Sequence, residues 1–185
     1  MMAEFVEQVS DTVKSIMSGM HTAIPAKVVS FDVKSCNVSV LPIMKFRKPD
    51  GETMDYPEIT GVPVVIPQSM GQKATIAFPI KSGDTGLLIV AEQSLDYWMY
   101  EQDTDTQLAF DLTNSVFIPG LFNKANIVLA EAANKNAVIV DIGGTRVTVK
   151  AESVQVDAAT ITFNGDVTVN GNFTNNPRTK SPQIS

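Results

Sequence analysis

A chain of 185 residues, 44% apolar and 18% charged, is long enough for one large domain or two small ones folded around a core. Its net charge of −6 sets it against partners that are phosphate backbones, since nucleic-acid binders carry basic patches. No apolar run reaches the eighteen or so residues of a membrane span, and Glu4, Glu7 and Asp11 interrupt the apolar core that a secretion signal requires, so the chain is expected to start in the cytoplasm.

The first segment, "AEFVEQVSDTVKSIMSGM", places Val6, Val9, Val13, Ile16 and Met20 at spacings of three and four, a heptad stripe on a helix. Gly19 is its stop and Pro25 bars continuation. The stripe suits either a helix lying on its own domain or one facing neighbouring subunits.

From residue 26 to about 92 the pattern is strand after strand. "AKVVSFDV", "NVSVLPIM", "GVPVVIP", "ATIAFPI" and "TGLLIVAE" carry β-branched or aromatic residues at near-alternating positions, separated by "KPDGE", "QSMGQ" and "KSGD". Five such strands, with a polar excursion from Arg47 to Tyr56, predict a five-stranded Greek-key barrel of oligonucleotide/oligosaccharide-binding (OB) type. The basic cluster Lys45, Arg47 and Lys48, flanked by Pro49, Asp50 and Gly51, reads as a solvated hairpin tip. Cys36 can form no intrachain disulfide, and its place in "SCNVSVLP" predicts a small buried strand residue.

"SLDYWMY" then reads as a short aromatic helix with Ser94 placed as N-cap, and the acidic "EQDTDTQ" as loop. "DLTNSVFIPGLF" closes the barrel domain at Pro119 and Gly120. From Ala137 the character changes to short strands in quasi-repeat. Val138, Val140 and Ile142 share one face, as do Val147 and Val149, Val154 and Val156, Ile161 and Phe163, and Val167 and Val169; Arg146, Thr148, Lys150, Gln155 and Asp157 point the other way. The breaks at "GG", "AES", "DAA", "NGD" and "NGN" are turns. Such strands are too short to bury one face alone, and about five of them are too few for a single-chain solenoid. Three identical chains around one axis would let each inward residue meet its copies, with Phe173 plugging the end. The expected organisation is a helix over 1–20, an OB-type barrel over 21–122, a linker and trimeric intertwined β-helix over 123–173, and a polar tail over 174–185 in which Pro177 and Pro182 break pairing and Lys180 and Ile184 lie outside the prism.

No catalytic constellation emerges. His21, the lone histidine, sits at a junction where packing or capping is the commoner role, and one histidine with one cysteine cannot make a zinc site of the usual kind. "DTDT" at 103–106 lacks the glycine and distal glutamate of a calcium loop, while "DIGGTR" and "IKSGDTG" lack phosphate-loop spacing and read as turns. Phe31, Phe46, Phe78, Tyr97, Trp98 and Tyr100 could stack bases, but their mostly apolar or acidic settings favour core packing over nucleic-acid binding. Neither a catalytic residue nor a cofactor nor a metal is expected.

The order of motifs carries more. His21 and Thr22, Val62 to Val64 around Pro63, Phe78 and Pro79 followed by Gly83 and Asp84, Asp96 with Trp98, and Pro119 to Leu121 resemble, in sequence, the N-terminal barrel domain of the central spike proteins of contractile-tail bacteriophages, over roughly residues 20 to 122. The resemblance implies a homotrimer in the virion tail baseplate, assembled in the host cytoplasm. Its partners would be the tail hub and other baseplate proteins, and its work would be to pierce the bacterial envelope when the sheath contracts. A tail-associated protein that binds or degrades cell-wall glycan is the alternative on the same barrel. Two positions depart from the family: Ala26 stands where a glycine is expected, and the C-terminus lacks the His-x-His that holds iron at the tip of many relatives. The implied tip is therefore blunt or capped by a separate protein.

Overall fold

The computed structural model describes residues 2–48, 51–102, 105 and 107–174. They form two compact units, Met1–Lys124 and Ala125–Ser185.

The first unit begins with helix α1, Met2–Ser18, none of whose residues is buried. Gly19 ends it, its N–H bonding Ile16 O at 3.2 Å. The strands that follow are β1 (Ala23–Asp32), β2 (Asn37–Pro42), β3 (Lys45–Arg47), β4 (Thr53–Asp55), β5 (Ile59–Pro63), β6 (Gln68–Ser69), β7 (Ala74–Thr75) and β8 (Thr85–Val90), then helix α2 (Asp96–Tyr100) and β9 (Ser115–Pro119). Five of these make one antiparallel sheet in the order β5-β2-β1-β8-β9. Alternation decides which face is buried: Ile24, Ala26 and Val28 on β1, Val38 and Val40 on β2, and Leu88 and Val90 on β8 point inward with Phe117, while their neighbours are wetter.

The sheet curls until its edges touch. Val64, just after β5, bridges Phe117 of β9 in parallel, and Val65 N–H donates to Phe117 O at 2.8 Å. That is one bridge and not a ladder, so the sheet is an OB-like half-barrel, short of the closed barrel expected from the sequence.

Membership of the sheet also differs from expectation at one strand. "ATIAFPI" contributes only Ala74 and Thr75, paired with Ser69 and Gln68 in a small hairpin, and Ile76 is exposed. The fifth strand is instead β9, inside the segment read as closing the barrel domain without being counted among its strands. Its Phe117 is the largest fully buried side chain, which explains the choice: the core needs a bulky residue at that edge. Room for the ring comes from Gly86 on β8, where a Cβ would lie 2.4 Å from Phe117 Cζ and 2.4 Å from Ile118 O. Gly86 pairs with the fully buried Ala26, so the position departing from the family motif still carries a small, buried side chain beside that glycine.

Two local expectations are corrected as well. Cys36 is exposed, with φ 57°, in the β1–β2 turn rather than on a strand. Asp32 organises that turn, accepting from Lys34 N–H at 2.9 Å and Ser35 Oγ at 2.8 Å, and this pushes the start of β2 to Asn37. In α2 the N-cap is Leu95; Ser94 sits one residue earlier, where its Oγ accepts from Asp96 N–H at 3.2 Å.

The second unit opens with helix α3, Ile127–Lys135, where the sequence reading places only linker, so the fold is not purely β beyond the first helix. Asn126 caps it, Oδ1 accepting from Leu129 N–H at 2.8 Å, and Asn136 in the left-handed region ends it. The following strands β10 (Val138–Ile142), β11 (Thr145–Lys150) and β12 (Ser153–Asp157) form a meander. Gly143 and Gly144, both at positive φ, make the two-residue turn between β10 and β11.

Candidate functional site

The meander sorts its side chains by register. Val138 pairs with Val149, which pairs with Val154; Val140 pairs with Val147, which pairs with Val156. Directly paired residues share a face in an antiparallel sheet. Val138, Val140, Ile142, Val147, Val149, Val154 and Val156 therefore form one continuous apolar surface, as the alternation implied. Helix α3 packs beside β10 on the opposite face: Arg146 joins Asp141 (Nε to Oδ2, 2.7 Å) and Glu131 of the helix (Nη1 to Oε2, 2.7 Å), and Thr148 is buried. Lys135 bonds the other Glu131 oxygen at 2.6 Å. These cations hold the Glu131 carboxyl below its ordinary pKa, Lys135 foremost and Arg146 next. The Asp141 carboxylate, with Glu131 behind it, raises that of Arg146.

The helix thus lies over part of the polar face, on the β10 side, and among the described residues the apolar face is left open. Val154 is 66% exposed and Val138 67%; Val147 is half-buried, and none of the seven is buried. Of the remaining residues read as core, Ile161, Phe163, Val167, Val169 and Phe173 lie on backbone with no strand pairing among the described residues, and all are exposed, Phe173 at 79%. Pro177, Lys180, Pro182 and Ile184 lie outside the described residues.

Catalytic candidates do not converge to the same degree. His21 is half-buried with its ring edge-on to Tyr56 (centroids 6.0 Å), and its N–H bonds Phe110 O at 3.1 Å. A cleft of about 670 Å³ beside α2 is lined by Glu92, Asp96, Tyr97, Asp105 and Phe110. Among the described residues no group of three or more His, Cys, Asp or Glu could hold a metal ion. The basic cluster does sit on a hairpin, where Lys45 pairs with Asp55 and Lys48 with Glu52, so its charge is largely answered within the hairpin. Phe31 packs half-buried against the core, but Phe46, Phe78, Tyr97, Trp98 and Tyr100 are exposed, contrary to that reading.

One residue that sequence reasoning passed over organises this region. Asn114, 5% exposed, donates from Nδ2 to Gln93 O (2.7 Å) and Leu108 O (3.0 Å) and accepts from Leu95 N–H (2.9 Å), pinning the approach to α2 against the turn before β9. The Asx turn "DLTN" was its only signal: Asp111 accepts from Thr113 Oγ1 and N–H, and Thr113, the hydroxyl first, lowers the Asp111 pKa.

With the half-barrel and the meander in place, the match to known families falls where the strands are. The family model described as phage protein Gp138 N-terminal domain matches residues 24–120, just over half of the chain and all five strands of the curled sheet. The chain belongs to this family. No curated protein matches it. Membership of the Gp138 family, together with the OB-like sheet, is consistent with a phage baseplate/spike-family protein and supports a place among the structural proteins of the virus. The helix α1 and the meander flank the matched region.

Proposed function

We propose that the protein is the central spike or hub component of a phage tail baseplate, or of a related contractile injection particle, working as a homotrimer that pierces the host envelope mechanically when the sheath contracts. The observation that carries this reading is the open apolar face: seven valine and isoleucine side chains in register, backed by an ion-paired helix and left uncovered among the described residues. Three copies around one axis bury that face against itself. Residues 158–173, which pair with no strand among the described residues, then find strand partners between chains, as an intertwined prism requires, with Phe173 at its end. The chain needs no catalytic group for this work. Neighbouring hub proteins hold the barrel end and contact with the envelope is transient; the tip is blunt or covered by a separate capping protein.

Sedimentation equilibrium tests the reading. The expected species has three times the 20.0 kDa mass of one chain and persists at nanomolar dilution. A species of single-chain mass at micromolar concentration would overturn it. Release of sugar from peptidoglycan or a polysaccharide, lost on substitution of Asp96 or Glu92 in the cleft, would instead establish the glycan-degrading alternative.

A further inference from the structure

Helix α1 presents a second uncovered apolar face, at the other end of the chain from the meander. On a helical wheel Phe5, Ile16, Val9, Met2, Val13, Val6 and Met17 occupy a single arc of about 120°, taken at 100° per residue, and all are exposed. A 17-residue helix that buries nothing has little to hold it, because most helical stability in proteins comes from packing an amphipathic face.

The arc says what covers it. With Val6 and Val13 at heptad a, and Val9 and Ile16 at d, both core positions are β-branched, a choice that favours three or four strands over two. Glu4, Glu7, Asp11 and Lys14 all fall at b or f, the outermost positions, while the flanking e and g positions hold Ala3, Phe5, Ser10, Thr12 and Met17. Identical chains bring identical flanks together, so like charges there would repel; this sequence has none. Cyclic symmetry also makes such helices parallel and in register without further specification. The polar side carries three acids and one base, the wrong sign for an anionic membrane surface. The tether is short, four residues from Gly19 to Thr22, with His21 N–H fixed to Phe110 O.

We infer that α1 is a second trimerisation element, a parallel three-helix bundle formed with the same helix of two further copies of this chain. The inference rests on the three-chain reading proposed above, and it ties the chains through the first unit as the prism would through the second.

Disulfide trapping in the full chain tests it. Exposed Cys36 is removed by Cys36→Ser. In that background Val13→Cys places thiols at an a position, where Cα atoms of neighbouring helices come within the roughly 7 Å that a disulfide tolerates. Asp11→Cys places them at f, facing out. Since α1 contributes no side chain to the core, both variants fold as the parent does. Under mild oxidation at micromolar concentration, Val13→Cys should give a covalent dimer at least tenfold faster than Asp11→Cys, without change in native mass. Equal rates, or no dimer from Val13→Cys in a protein that sediments as a trimer, would overturn the inference while leaving the spike reading intact, and would hand the arc to a different baseplate protein. A parent that sediments as a monomer with Val13→Cys silent would refute both.

Discussion

Replacing Val154 by aspartate separates a monomer from a trimer sharply, because the two predict opposite results. In one chain Val154 is 66% exposed on β12, and a polar substitution at such a position shifts stability by about 0.5 kcal/mol or less. In the proposed trimer the remaining two-thirds of the side chain is buried against two copies. Full burial of a valine contributes roughly 1.5–3 kcal/mol, so about 1–2 kcal/mol is lost per chain and about 3–6 kcal/mol per trimer. Three carboxylates facing one axis add a desolvation and like-charge cost of several kcal/mol more. The total corresponds to a weakening of association by at least roughly a thousandfold. Sedimentation velocity across a dilution series from tens of micromolar to submicromolar, with circular dichroism as a check on folding, reads the effect. Val154→Asp, still held by any contact through α1, should need at least roughly a thousandfold higher concentration than the parent to run at three times the 20.0 kDa mass of one chain, with its meander retained. A variant that holds the trimer on dilution and melts within two degrees of the parent would refute the face-to-face packing.

Further expectations concern the scaffold. Gly86→Ala forces a methyl group into the Phe117 ring and the Ile118 carbonyl, and should cost about 3 kcal/mol or more in chemical denaturation; a loss under about 1 kcal/mol would mean that β9 is not seated as described. Asn114→Ala removes three hydrogen bonds from a buried site and should cost about 2–4 kcal/mol, seen also as faster proteolysis around residues 92–108. Acid should loosen α3 from the meander: the Glu131 pKa is depressed in the folded chain, so its stabilising contribution is present above the ordinary carboxylate range and lost as pH falls through the folded value. Glu131→Gln should therefore lower the melting temperature at pH 7 and flatten its decline between pH 5 and 3, and an unchanged acid limb would count against the ion-paired lock.

Strand character was legible in this sequence because it is local. Alternation along β1, β2 and β8 names the buried face of each from residues two apart, along β10 to β12 it names which residues share a face, and the glycine pair at 143–144 names its own turn. The end of α1 at Gly19 and the solvated basic hairpin were readable for the same reason. Helix α3 was legible in principle, from its Asn126 cap, alanines and Glu131–Lys135 spacing, but so short a helix has too few turns for its periodicity to stand out beside the β-repeat that follows. What the sequence could not decide is which apolar segment the sheet admits. "ATIAFPI" and "SVFIP" have similar composition, yet only the second finds a neighbour in β8 and a hole above Gly86 for its phenylalanine. Cys36 and Tyr97 to Tyr100 likewise sit on the surface because a turn and a short helix, not their own polarity, place them there. The apolar face of the meander follows from alternation alone, whereas its being open depends on α3, which packs on the polar side through Arg146 because charged partners await it there. Periodicity fixes how side chains are sorted within a strand; only the three-dimensional competition for neighbours fixes which surface is left without one.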